Sequence, residues 1–303
     1  MKKASIFRVS LLAITALALI TVSCNDDEPD NQTNPTVTDL VVSDPNFSIL
    51  EAAVLKANLA DALATSNPIT VFAPDNAAFN AAGITEAVIA SLPVSRVDSI
   101  LKYHVHPGFV TASDVPASDA ITTLLGTQLY ASNNANGVFF NGIGVKQANV
   151  QAANGVVHVM NNVLIPPTRT IAQIAAGDTS FSFLVQAVTK AGLLSAISGP
   201  GKFTVFAPTN AAFRAAGITD INALPQATVE TVVKYHVLTT NVFASDLINN
   251  TNVPTLQGGN LLINTAPARV KIASSTAVSS NITAANITAT NGVVHVIDRV
   301  LLP

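Results

Sequence analysis

Beyond a polar N-terminal stretch, the apolar residues follow two different periods. From Phe47 to Leu63 they recur at Leu50, Ala53, Val54, Ala57 and Leu63, the spacing of one helical face. Ile69-Thr70-Val71-Phe72 then forms a short continuous run and predicts a buried strand. Pro74-Asp75 ends that run, and Asp75 stands where it can cap a helix carrying Phe79. Leu92-Pro93 to Tyr103 predicts another helix, with Pro93 in its first turn. From His104 onward the pattern turns β-like. Ile121–Leu125, Gln128–Ala131, Val138–Phe140 and Val156–Leu164 are separated by Gly and Asn turn signals. Helices come first and strands later, which points to an α+β unit rather than alternating βαβ.

The same unit is written twice. Thr70-Val71-Phe72-Ala73-Pro74-Asp75-Asn76-Ala77-Ala78-Phe79 returns as Thr204-Val205-Phe206-Ala207-Pro208-Thr209-Asn210-Ala211-Ala212-Phe213. The offset of 134 holds without a gap from Thr36/Thr170 through Thr85/Thr219. Lys102-Tyr103-His104-Val105 returns as Lys234-Tyr235-His236-Val237, and Asn154-Gly155-Val156-Val157-His158-Val159 as Asn291-Gly292-Val293-Val294-His295-Val296. A period this long marks a duplicated domain, since solenoid units run to roughly 20–50 residues. Pro166-Pro167 stops both helix and ladder pairing, so we place the first domain at 36–167 and the second at 168–303.

The N-terminus has another character. Lys2, Lys3 and Arg8 precede an apolar stretch from Leu11 to Val22, which ends at Ser23-Cys24. Residues 1–23 have the layout of a secretory signal and are too short for a transmembrane helix. The pattern resembles a bacterial lipoprotein signal, in which Cys24 becomes the lipidated first residue, although Thr21 stands where Leu is usual. Asn25-Asp26-Asp27-Glu28 resembles the acidic tag that sends lipoproteins of the Bacteroidota to the outer cell surface, and equally an ordinary acidic linker. Residues 24–35 read as a flexible tether. The expected location is the outer membrane, lipid-anchored and surface-facing, with the periplasmic face as the alternative.

Composition narrows the function classes. Over 303 residues the charged fraction is 11% and the mean hydropathy +0.44, yet no apolar run beyond the N-terminal stretch is long enough to span a bilayer. Removing residues 1–23 leaves 12 Lys+Arg against 18 Asp+Glu, a net charge of −6, which disfavours nucleic acid as a partner. One Cys excludes a disulfide framework within the chain. No G-x-S-x-G, H-E-x-x-H or C-x-x-C motif is present. Gly199-Pro200-Gly201-Lys202 lacks the first Gly and the Ser/Thr of a phosphate loop, so it reads as a tight turn. We therefore expect no catalysis and no cofactor.

The ordered motifs around Thr70, Phe72, Pro74, Phe79, Tyr103, His104, Gly155 and His158 resemble a fasciclin-like domain. Their second copies are Thr204, Phe206, Pro208, Phe213, Tyr235, His236, Gly292 and His295. The resemblance covers Thr36 to Pro303. It implies a wedge-shaped β-sandwich flanked by helices, in a family associated with cell adhesion and matrix contact. The four phenylalanines should be core. The paired histidines are read as buried rings that satisfy backbone groups, the competing readings being a metal site or a pH switch. His104 and His106 sit two apart, a spacing that puts them on one strand face, but Leu238 replaces the second in the other copy. In some animal relatives an Asp-Ile pair before the Asn-Gly-Val-Val-His segment is proposed to contact integrins. Here those positions are Asn149-Val150 and Asn286-Ile287, so that partner is not expected. The expected function is a membrane-anchored module that binds an extracellular protein or matrix ligand. A glycan-binding lipoprotein is the alternative, weakened by the absence of Trp and by having Tyr130 as the one Tyr outside the paired motif.

Overall fold

The computed structural model describes residues 34–64, 67–275 and 278–302. The signal segment, Cys24 and the tether up to residue 33 lie outside them. Asn34–Pro303 forms one unit containing both repeats. The first repeat builds β1 (Ile69–Pro74), β2 (Val105–Pro107), β3 (Asp119–Thr122), β4 (Gln128–Asn134), β5 (Gly137–Phe140), β6 (Ile143–Ala152) and β7 (Gly155–Met160). The second builds β8 (Phe203–Pro208), β9 (Val237–Leu238), β10 (Thr251–Pro254), β11 (Asn260–Thr265), β12 (Ala268–Ile272), β13 (Ser280–Ala289) and β14 (Gly292–Ile297). The first sheet has the order β2-β1-β7-β6-β5-β4-β3, and the second runs β9-β8-β14-β13-β12-β11-β10.

Only one pairing in each sheet is parallel. β1 lies beside β7 with Ile69 opposite Gly155 and Phe72 opposite His158, and β8 lies beside β14 in the same register. The sheet then curls until its ends nearly meet. Leu124 N–H donates to the Val105 carbonyl at 2.6 Å, and Leu256 N–H to that of Val237 at 2.7 Å. The two layers of the expected sandwich are thus opposite walls of one nearly closed sheet.

Strand alternation sends side chains to two cores. Ile69, Val71, Ala73, Val157 and Val159 pack under the helices, while Phe72 and Met160 fill the curl with Tyr103, Leu129, Phe140 and Leu164. Phe72 meets Phe140 with ring centroids 4.2 Å apart. The Asn-Gly before β7 is required by this closeness. A Cβ on Gly155 would stand 2.1 Å from the Ile69 carbonyl oxygen, and one on Gly292 would stand 1.9 Å from that of Phe203.

The helices depart from the sequence reading in three places. The run from Phe47 to Leu63 is two helices, Ser48–Ala57 and Ala60–Leu63, because Asn58 takes φ 54° and ends the first with a left-handed cap. Helices Val37–Ser43 and Ile171–Ala176 went unpredicted, though Thr36 with Asp39 and Thr170 with Gln173 form capping boxes. Pro93 and Pro225 stand one residue before helices Val94–Tyr103 and Gln226–Tyr235, as caps. Asp75 and Thr209 cap as expected, each accepting an N–H three residues on, from Ala78 and Ala212.

Phe72 and Phe206 are both 0% exposed, so truncating either to Ala should cost about 3–5 kcal/mol. Leu55, at 62% exposure, should lose about 0.5 kcal/mol or less. Urea denaturation of the three variants checks this; similar midpoints would contradict the core assignment.

Candidate functional site

The repeated polar residues converge on one loop in each repeat. Thr70 Oγ1 donates to the Gly108 carbonyl at 2.8 Å and accepts from Val110 N–H at 2.9 Å. His158 Nε2 donates to the Val110 carbonyl at 2.9 Å, while its Nδ1 faces Asn149 N–H at 3.4 Å. Asn149 sits at φ 59° in an irregular stretch of β6, and its Oδ1 accepts from Ala112 N–H at 2.8 Å. The second copy repeats every contact. Thr204 holds Thr240 and Val242, His295 holds Val242, and Asn286 at φ 61° holds Ala244. The positions compared above with the integrin-contacting pair therefore brace a loop, using an amide where a left-handed turn is needed.

His104 and His236 do parallel work at the helix ends. Nδ1 of His104 donates to the Ile100 carbonyl at 2.8 Å, and its Nε2 accepts from Leu164 N–H at 2.9 Å. His236 makes the same pair with Val232 and Leu301. Each ring ties its helix to the segment that follows the last strand. Burial lowers their pKa from 6.5 to about 4, with the carbonyl hydrogen bond opposing the shift. Burial also lowers His158 and His295. All four rings already face a backbone N–H at the nitrogen a second proton would occupy.

The expected strand face shared by His104 and His106 does not form. His104 closes helix Val94–Tyr103, and only His106 belongs to β2, where its Nδ1 meets the Thr122 carbonyl. Among the described residues no three His, Cys, Asp or Glu gather as a metal site, and no helix is long and apolar enough to cross a membrane. Of the motif residues, Phe79 and Phe213 are buried beside the helices, Pro74 and Pro208 close β1 and β8, and Tyr103 lies fully inside the curl. Tyr235 is only partly buried, unlike its twin. Its hydroxyl lies only 2.5 Å from where a Cβ on Gly259 would sit.

A motif that sequence reading passed over decides what each braced loop does. Val110-Thr111-Ala112-Ser113-Asp114 is repeated as Val242-Phe243-Ala244-Ser245-Asp246. In the second repeat this loop docks on β4 of the first. Ser132 Oγ donates to Asp246 Oδ1 at 2.6 Å, and Asn134 Nδ2 donates to the Ser245 carbonyl at 3.1 Å. Phe243 packs on Tyr130 at 5.1 Å and on Val293. Tyr130, held open above as a sugar platform, thus spends its ring on the junction, and its hydroxyl pairs with Ser118. Beside it runs a cleft of about 240 Å³ edged by Gln128, Lys202 and Asn241. In the first repeat the same loop is open: Ser113 and Asp114 are exposed and neighbouring Phe109 is 47% exposed. Asp114 there turns inward only to its own Thr111.

The fasciclin domain model matches residues 45–166 and 179–303. Protein sll1483 of Synechocystis is 38% identical over 134 residues, covering 44% of this chain and 74% of that protein. The transforming growth factor-beta-induced protein ig-h3 of Sus scrofa is 28% identical over 250 residues, 82% of this chain but 35% of its own length. Periostin of Homo sapiens is 28% identical over 241 residues, 77% of this chain and 28% of its own length. The chain therefore spans about a third or less of these two animal relatives. A solved FAS1 domain pair from the insect cell adhesion molecule Fasciclin I aligns at 19% identity and TM-score 0.42, covering 84% of this chain and 96% of that one.

The four neutral rings set a pH dependence. Below pH 6.5 the unfolded chain takes up protons that the folded chain refuses, so stability should fall as pH drops from 6.5 towards 4. His104 and His236 should each contribute roughly 3 kcal/mol of that loss. A His236→Gln variant, weaker at pH 7, should fall less steeply. Urea midpoints that stay flat from pH 7 to 5 would contradict it.

Proposed function

Because the chain belongs to the fasciclin domain family, we propose that it is an adhesion module that binds another protein through the open loop of its first repeat. One observation carries this reading: the twin loop, Val242–Asp246, is already bound to protein surface within the molecule. The Thr–His–Asn brace holds both loops in place, so Phe109 to Asp114 presents a pre-ordered surface, which lowers the entropy lost on binding. The motif histidines and threonines are spent inside the fold, which leaves contact rather than chemistry as the use of the surface.

The soluble segment 34–303 should bind a matrix protein in a screen of matrix proteins and polysaccharides. Phe109→Ala and Asp114→Asn should each weaken that binding about tenfold or more, the scale of an interface hot spot. Val94→Ala, at 54% exposure on the helical side, should leave it unchanged. Saturable binding to a polysaccharide with no protein partner would replace this reading with glycan capture.

We propose further that Cys24 carries the lipid that anchors the module to the outer membrane, facing outward. Its sequence context after Leu11–Val22 supports this, and several acyl chains would make the attachment stable. Labelled palmitate should be incorporated by the wild type and lost in Cys24→Ala. Protease added to intact cells should degrade the protein; full protection would turn it to the periplasm.

A further inference from the structure

The helical layer of the second repeat is incompletely filled. Between helices Ile171–Ala176, Ser182–Lys190 and Leu194–Ser198 and the sheet lies a cavity of about 130 Å³, lined by Ala175, Leu184, Val188, Ile197, Val233 and Val294 among others. Its wall is apolar. The one ring with nitrogen atoms, His236, has both committed to Val232 and Leu301. A second void of about 150 Å³ lies beyond Leu184 and Val233. The corresponding space in the first repeat measures about 20 Å³.

The duplication identifies the cause. Most lining positions match in bulk between the two copies, but Val41 becomes Ala175 at the 134-residue offset and Leu101 becomes Val233 where the offset has shortened to 132, while Val37 becomes the larger Ile171. All three pairs line the two spaces, and together they remove a net two carbons. The rim changes as well. Thr38, Glu51 and Ala60 of the first repeat correspond to Ala172, Val185 and Leu194 in the second. Leu194 is 43% exposed and Val185 partly so, and both line the cavity. Two polar positions, Thr38 and Glu51, are thus replaced by apolar ones among the lining residues, and bulk is removed at Ala175 and Val233. Close-packed interiors do not keep such space without cost. A dry apolar cavity of about 150 Å³ is large enough to take benzene or xenon.

We propose that the second repeat binds a small uncharged apolar molecule, about one six-membered ring in size, inside its helical layer. The wall offers no free hydrogen-bonding group, so a ligand with a hydroxyl on the same ring would leave that group unpaired.

The test uses the full chain with benzene as the probe. Benzene should raise its melting temperature saturably, and phenol should bind roughly tenfold more weakly. Ala175→Val with Val233→Leu installs the first repeat's residues. It should raise the melting temperature without ligand and abolish the benzene response. Xenon-129 NMR of the wild type gives an independent reading if the double variant fails to fold: a bound-xenon shift displaced by benzene is expected. No saturable response in the wild type, an equal response in the filled variant, or phenol binding as well as benzene would overturn the proposal.

Discussion

Each repeat depends on the parallel pairing of two strands far apart in the chain, β1 with β7 and β8 with β14. These strands are buried on both faces, so each ladder must satisfy its backbone within the sheet. Only glycine at 155 and 292 allows the second strand to begin so close to the first. Once paired, the strands dictate the rest of the repeat. Odd positions of β1 receive the helical layer, even positions look into the curl, and Thr70 and His158 meet across the ladder's inner face to hold the loop after β2.

The low charge of the chain follows from how polarity is used. Most buried polar side chains are neutral hydroxyls, amides and imidazoles, largely matched to backbone groups, because a neutral pair avoids the desolvation that a buried charge would bring; Asp75 is the charged exception, capping its helix and pairing with Lys146. Lysines serve the same purpose at the edges. Lys56 donates to the carbonyls of Ile89 and Ala90, and Lys190 to those of Ile221 and Asn222, which closes helix ends. Such a frame tolerates divergence on its outside. One repeat has Thr111 and an open loop, the other Phe243 and a docked one; one has a filled helical layer, the other a hollow one.

Much of the frame was legible. The strong turn and cap signals at Pro74-Asp75 and Asn154-Gly155 marked β1, β7 and the helix between, and the duplication showed that the arrangement is used twice. β6 was not legible, because Ile143–Ala152 is half exposed, carries Lys146 and Gln147, and is broken by the left-handed Asn149, so it shows no clean alternation. The helix break at Asn58 looked like a continuing apolar period. Capping boxes at Thr36 and Thr170 were readable but short. The Val-x-Ala-Ser-Asp repeat was in plain view, yet the surface on which the Phe243 loop docks, Tyr130 to Asn134, lies more than a hundred residues away in the chain.

The sequence alone determined that there are two copies of an α+β unit and where the first strand and its capped helix lie. These follow from local rules, periodicity and caps, which act within a few residues. Tertiary structure decided which nitrogen of each histidine carries the proton, that Asn149 and Asn286 brace loops, and that Tyr130 is consumed by the junction. It also decided that the helical layer of the second repeat is hollow where that of the first is filled. Those outcomes depend on groups dozens of residues apart meeting within hydrogen-bonding or van der Waals distance, and no local pattern encodes that distance.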